Sequence, residues 1–486
     1  MSRAASVKGG DAASATGTRP PNIVYIMADQ MAAPILPLHD PSSVIKMPHL
    51  MSLVDDGATV FDQAYTNSPL CAPSRFTMCS GQLPSKIGAY DNAAHFASDI
   101  PCYAHYLRQA GYHTALSGKM HFIGQDQLHG FEERLTSDIY PAGSHSLPPS
   151  LMNKNTHVCT DYGWTVDWQS PDVRVDWYHN MSSVEEAGPS YRTNQIDFDE
   201  EVTYKAMQYI YDRKRRFAGQ PFMLTMALTH PHDPYNALKP FWDQYEDVEI
   251  PLPKHQIPQE AQDAHSRRLL KVIDLWDKPL TPEQIKRARR AYFANCTYVD
   301  DKIGQILRVL KECDLMENTI LVFSGDHGDH LGERGLWYKM SYYEMSARIP
   351  LVVYAPHLYN VRRVTVPVSG IDLMPTFVEM AGATLHPQLP IDGQSLLPLL
   401  EGKEPPANAE LVAVDGSAKE RTVYGEYMGE GTISPLFMIR RGPYKVAFRF
   451  LSRHRHRTHT VHSTSFARLT RRNCSTWRKT RKKRKT

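Results

Sequence analysis

Short unbroken apolar runs alternate with stretches of helical spacing along most of the chain. Asn22-Ile23-Val24-Tyr25-Ile26-Met27-Ala28 is such a run, closed by Asp29. Continuous apolar segments of this length are the pattern of a strand buried on both faces. Pro221 to Leu228 repeats it and delivers His230-Pro231-His232-Asp233-Pro234. Thr319 to Ser324 repeats it again and delivers Gly325-Asp326-His327-Gly328-Asp329. Further strands are predicted at Ala58 to Tyr65, Tyr112 to Ser117 and Ile349 to Tyr354. Helical spacing marks His49 to Asp56, Ser74 to Ser80 after Pro73, Ile100 to Ala110 closed by Gly111, Phe198 to Ala218, and Pro282 to Glu312.

Strands that alternate with helices predict an α/β fold, a mostly parallel sheet with helices on both faces. Polar clusters recur at the C-terminal ends of the strands, where open α/β sheets collect their ligands. The expected organisation is a disordered leader over 1–20, a catalytic domain over 21–400, an incomplete C-terminal subdomain over 401–445 and a basic tail over 446–486. Residues 143–160, polar and without periodicity, read as an insertion: a surface loop or a retained intron.

Composition changes this picture in three places. The net charge of +3 conceals thirteen Lys/Arg and no Asp/Glu from Leu451 to Thr486, and without them the body stands at −10. Only the tail carries the basic charge that would suit nucleic acid, so nucleic acid is not the expected partner of the whole. The seven cysteines are irregularly spaced and form no CxxC pair, which excludes a disulfide framework or a zinc module. The first twenty residues lack the apolar stretch of a signal peptide and no apolar run is long enough to span a bilayer, so a cytoplasmic, non-membrane protein is expected.

The candidate chemistry lies on five strand ends or loops. Asp29 and Asp326, each following an apolar strand, with Gln30 and His327 beside them, would suit a hard divalent cation. Cys71 stands between Pro69 and Pro73 just before a helix, with Arg75 in its first turn. A helix start and a guanidinium fork together favour an anion. Lys119 with His121, and His230 with His232, are i, i+2 pairs expected to point the same way. Lys339 follows Trp337-Tyr338. Taken singly, each has an ordinary explanation as a cap, a packed side chain or a surface charge. Together they describe a metal and an anion cradle that would stabilise a negative ester centre electrostatically.

These residues carry a resemblance. Cys71-Ala72-Pro73-Ser74-Arg75 is similar to the C-x-P-x-R signature of the type I, formylglycine-dependent sulfatases, and Gly81-Gln82-Leu83-Pro84-Ser85 resembles its second half. Gly118-Lys119-Met120-His121 and Gly325 to Asp329 resemble other blocks of the family, and the likeness runs from Pro21 to about Lys445. Within it, SGKMHFIGQDQLHGFEERLTSDIYPA, THPHDPY and GLWYKMSYYE resemble the choline-sulfatase branch. The resemblance implies an alkaline phosphatase-like α/β/α sandwich with a smaller C-terminal subdomain. It implies that a formylglycine-generating enzyme converts Cys71 to formylglycine, whose hydrate attacks sulfur and then releases sulfate. It implies calcium, magnesium or manganese on Asp29, Gln30, Cys71, Asp326 and His327. Arg75 would stabilise the hydrate, His121 would deprotonate it, and Lys119 and Lys339 would hold sulfate oxygens. His232, with His230 as the competing candidate, would protonate the leaving oxygen. Asn92 and Trp164 would contact substrate, choline-O-sulfate, in what the family implies is a homo-oligomer.

The chain departs from the family pattern in two places. About seventeen residues intervene before Tyr162-Gly163-Trp164, and beyond Lys445 the basic tail stands where the family continues through an acidic segment to a C-terminal extension used in subunit contacts and in closing the active site. The second departure predicts weaker oligomerisation and activity. The alternatives are another formylglycine sulfatase, a phosphonate or phosphate diester hydrolase of the same fold, or a catalytically impaired protein.

Overall fold

The computed structural model describes residues 19–92, 94–139, 181–403, 421–429, 432, 434–451 and 460–465. Its centre is an eight-stranded sheet. In chain order the strands are β1 (Asn22–Asp29), β2 (Thr59–Phe61), β3 (His113–Gly118), β4 (Glu133–Arg134), β5 (Phe222–Pro231), β6 (Thr319–Gly325), β7 (Leu351–Tyr354) and β8 (Arg363–Val364). Across the sheet they run β8-β2-β7-β6-β1-β5-β3-β4. Only β7 is antiparallel to its neighbours, so the mostly parallel expectation holds.

The apolar runs are where the buried strands are. Every residue of β1, β5 and β6 is buried. Two cores flank the sheet: Val24, Ile26, Leu224 and Leu321 pack on one side, while Ile23, Tyr25, Met223 and Ile320 pack on the other. That alternation is the period-2 geometry of a strand covered on both faces. Helices Asn194–Arg216 and Pro282–Glu312 cover the first side. Helices Cys71–Ser80, Tyr103–Gln109 and Leu373–Met380 cover the second.

Three element boundaries differ from expectation for local reasons. The helix expected from Ser74 begins at Cys71, with Pro73 as its third residue. The first four N–H groups of a helix have no internal partner, so proline there removes no bond. The strand expected over Ala58 to Tyr65 is two pieces, because Ala64–Tyr65 leaves the main sheet to pair with Val368–Ser369. The helix expected from Ile100 starts at Tyr103, with Cys102 as its extended N-cap.

A second, antiparallel sheet follows, made by Thr422–Tyr427, Leu436–Arg441, Tyr444–Leu451 and Thr460–Ser465. Its third strand runs through the boundary expected at residue 445. Residues 143–160 and Trp164 lie outside the described residues. Among the described residues no helix is long and apolar enough to cross a membrane.

Candidate active site

Strands β6, β1, β5 and β3 are neighbours, and their C-terminal ends bring His327, Asp29, His232 and Lys119 to one edge of the sheet. The helix Cys71–Ser80 starts against the same edge and is buried along all ten residues. Asn92 Oδ1 accepts the free N–H of Ala72 at 3.0 Å, so Asn92 sits at the helix start.

Arg75 organises the centre. Its Nε donates to Asp326 Oδ2 at 2.9 Å, its Nη2 to Asp29 Oδ2 at 3.0 Å, and its Nη1 to the carbonyl of Lys119. Lys119 Nζ lies 2.5 Å from the same Asp29 oxygen. All four side chains are buried. Burial opposes ionisation of Asp29, but Lys119, His232 and Arg75 outweigh it and hold the carboxyl well below its usual range.

Cys71 Sγ is 3.2 Å from His327 Nε2 and 3.7 Å from Asp29 Oδ1. Burial, reinforced by the charge of Asp29, pushes the thiol up to about 12. As a cysteine it is therefore a neutral and poor nucleophile at pH 7.

Asp29, Cys71, Asp326 and His327 offer one donor atom each, all within 4.8 Å of one another. The proton of His327 is fixed by its outer contact. Nδ1 bonds the carbonyl of Gly328 at 3.1 Å, and a carbonyl only accepts, so Nε2 keeps its lone pair toward the cluster. Two buried carboxylates and one imidazole lone pair fit a divalent cation. The sulfur is the one soft donor in the set, and an oxygen in its place would suit a hard ion better. Gln30, at φ 64°, turns its side chain elsewhere. Its Oε1 accepts from Lys339 Nζ at 2.6 Å and its Nε2 donates to Asp329 Oδ2 at 2.6 Å.

His230 and His232 do not share the direction expected of them. His230 turns to Asp199, which takes its Nδ1 at 2.7 Å and its backbone N–H at 3.0 Å. His232 instead joins Lys339, with Nε2 2.7 Å from Nζ. His232 Nδ1 donates to the Asp233 carbonyl at 2.6 Å. Burial, then the charge of Lys339, lowers His232 to about 3. Beyond Lys119 the chain turns at His121, whose φ is 61°. His121 nevertheless lies in the same field: burial, then Lys119 and Arg75, holds it well below the ordinary histidine value.

Several residues with parts in this arrangement escaped sequence reasoning. Asp199 occupies the buried face of its helix among Ile196, Val202 and Ala206, and an acid on an apolar stripe was the available signal. Asp329 closes the Gly325 to Asp329 motif and takes both Gln30 Nε2 and Tyr235 OH at 2.6 Å. Burial raises its carboxyl to about 7. Asp138 binds the backbone of Met120 and His121.

An α/β/α sandwich whose sheet edge gathers buried carboxylates, an imidazole and three cations is built to stabilise a negative ester centre. Solved structures agree on the fold. A protein in complex with its substrate D-glucosamine-2-N,6-O-disulfate matches with a TM-score of 0.64 at 20% identity, over 92% of this chain and 91% of that one. The phosphonate monoester hydrolase of Silicibacter pomeroyi matches with a TM-score of 0.63 at 21% identity, over 92% and 89%. The chain belongs to the sulfatase family, whose pattern matches residues 21–383, and is a sulfuric ester hydrolase. Residues 332–456 also match the C-terminal region of N-sulphoglucosamine sulphohydrolase. Among curated relatives, a choline-sulfatase of Rhizobium meliloti is 43% identical over 437 residues, covering 89% of this chain and 78% of that protein. Arylsulfatase K of Xenopus laevis is 28% identical over 404 residues, covering 78% and 66%.

Proposed function

We propose that this protein hydrolyses choline-O-sulfate to choline and sulfate, with Cys71 converted to formylglycine and a divalent cation on Asp29, Asp326 and His327. The observation that carries the substrate is the 43% identity to a choline-sulfatase over 89% of the chain. The aldehyde hydrate would supply the nucleophilic oxygen and the cation would polarise the sulfate ester.

The chain's own residues do the rest. Arg75 is locked between Asp29 and Asp326, so it fixes the two carboxylates in place as it faces residue 71. Arg75 and Lys119 line Asp29, and Lys339 reaches Gln30 and His232. These cations would favour a sulfate ester and the charge that develops on it. His121 holds a lone pair, kept by burial and by Lys119, and takes the proton from the nucleophile. Lys339 Nζ donates to His232 Nε2 at 2.7 Å, which supports His232 over His230 as the group serving the leaving alcohol. Gln30 orients Lys339 through its Oε1 and is a weaker candidate for the metal. Asn92 and Trp164 remain proposed substrate contacts, and a formylglycine-generating enzyme the proposed partner.

Protein purified from its own host, assayed with choline-O-sulfate, aryl sulfates and phosphonate esters, tests the reading. Choline-O-sulfate is expected to be hydrolysed with the highest kcat/KM, and the Cys71 peptide to carry an aldehyde by mass spectrometry. Preference for a phosphonate ester would overturn the substrate. An unmodified thiol in active protein would overturn the nucleophile.

A further inference from the structure

The parallel ladder between β3 and β4 continues after their backbones stop pairing. Ala115 pairs with Glu133 and Leu116 with Arg134, and Leu135 N–H still reaches the Leu116 carbonyl. Beyond that point side chains of the second segment replace its carbonyls. Thr136 Oγ1 accepts from Gly118 N–H at 2.8 Å, and Asp138 Oδ2 accepts from Met120 N–H at 2.9 Å, both at the same offset of 18 residues. The same Asp138 oxygen accepts from His121 N–H at 2.9 Å.

Two successive N–H groups converging on one anionic oxygen form a nest. Here the nest closes on the residue with φ 61°, a backbone state that a side chain with Cβ adopts only when its surroundings hold it there. Asp138 is itself fixed. Arg134 Nη2 donates to the same oxygen at 2.9 Å, and Arg134 is held by the carbonyls of Gln127 and Thr136. The Asp138 side chain is 2% exposed. It lies past the last backbone pair of the two strands, so these bonds shape the loop rather than the sheet.

We propose that Asp138 is a positioning residue for ester hydrolysis: it holds the left-handed turn at His121 and so keeps that imidazole among Lys119, Arg75 and Asp29. This rests on the role given to His121 above. Asp138→Ala removes the acceptor. Asp138→Asn keeps one oxygen able to accept both N–H groups and removes the charge. kcat, KM and thermal midpoint are measured for both, and again in a His121→Ala background, with whichever sulfate ester the wild type turns over fastest.

Asp138→Ala is expected to lower kcat about 100-fold, the scale of misplacing a reacting group by an ångström. KM is expected to stay within about threefold. Asp138→Asn is expected to recover most of the loss, and Asp138→Ala to add nothing once His121 is alanine. Unchanged kcat, equal losses in Ala and Asn, or losses that multiply with His121→Ala would each overturn the proposal. If Asp138→Ala does not fold, the cycle is run with Asp138→Leu, which keeps the bulk and removes the acceptor. A kcat loss that vanishes in the His121→Ala background supports the role, and a fall in midpoint with kcat intact overturns it. A wild type that prefers an ester other than choline-O-sulfate would overturn the substrate reading alone.

Discussion

The strand-end cluster and the four-stranded C-terminal sheet invert the usual distribution of polarity. In the first, Asp29, Arg75, Lys119 and Asp326 are fully or almost fully buried. In the second, Tyr424, Ile439, Tyr444 and Val446 remain exposed, Tyr444 at 58%. Ile439 pairs with both Tyr424 and Val446, so three of these side chains form one row on one face. The opposite face of the same strands is ordinary core: Val423, Tyr427, Met438 and Ala447 are buried. Buried charges are costly unless every one is paired, and removing a partner leaves the full penalty behind. Exposed apolar residues on a sheet cost little one by one. The first region should therefore answer sharply to single substitutions, and the second should barely answer at all.

The most severe way to probe that contrast is Arg75→Lys. A lysine cannot span Asp29 Oδ2, Asp326 Oδ2 and the Lys119 carbonyl at once. Hydrolysis is expected to fall about 10³-fold, the upper range for losing one oriented electrostatic donor. Unfolding free energy is expected to fall by about 3 kcal/mol, as for a broken buried pair. Steady-state kinetics and denaturant titration measure the two, and a change under tenfold would remove the central role given to Arg75.

Next in size is the division between the two histidines. His232→Ala is expected to lower kcat about 10²-fold, the lower range for a group that moves a proton in the transition state. His230→Ala is expected to act on stability instead, by about 1–3 kcal/mol, because it strips Asp199 of a buried partner. The reverse pattern, with His230→Ala abolishing turnover in a stable protein, would reassign the proton.

A smaller, graded difference is expected with pH. Burial lowers His330 to about 3 and His129 to about 4, whereas an unfolded histidine titrates near 6.5. Between those values the unfolded chain binds more protons, so stability rises with pH. These two groups contribute fully above pH 6.5 and progressively lose that contribution as the solution is acidified. Thermal midpoints between pH 7.5 and 5 are expected to fall. By hydrogen exchange, the segment around His330 should loosen before the hairpin of Thr422–Tyr427 and Leu436–Arg441. A flat profile would show that burial of these rings does not set acid stability.

The smallest effect belongs to the exposed face. Tyr444→Ser and Ile439→Thr are expected to leave kcat unchanged and to shift stability by about 0.5 kcal/mol or less. A larger shift would mean that this face is covered in the working protein.

The parts of the molecule that were legible in sequence are those governed by period and burial. The runs at Asn22, Pro221 and Thr319 are apolar on both faces, and they became three adjacent central strands. Asp29, Arg75, Lys119 and Asp326 were legible because each follows such a run or stands at a helix start, whereas Lys339 lies on a loop. What was not legible depended on backbone turns. The i, i+2 argument assumes extended backbone, and His121 sits in a left-handed turn. His230 and His232 follow one strand yet take partners from different elements, Asp199 on a helix and Lys339 on a loop. Asp138 acts through hydrogen bonds to backbone, which no residue type announces.

The closed helix around Cys71 also sets an order of events. Cys71 is 1% exposed, and the other nine residues of its helix are buried with it. Another macromolecule can grip this stretch only while it is still extended. On the proposed reading, the enzyme that alters the thiol would work on the growing or newly released chain, before helix Cys71–Ser80 closes against the sheet. Activity would then be decided during biogenesis, by a race between modification and folding, and a mature protein that lost that race would have to unfold locally to run it again.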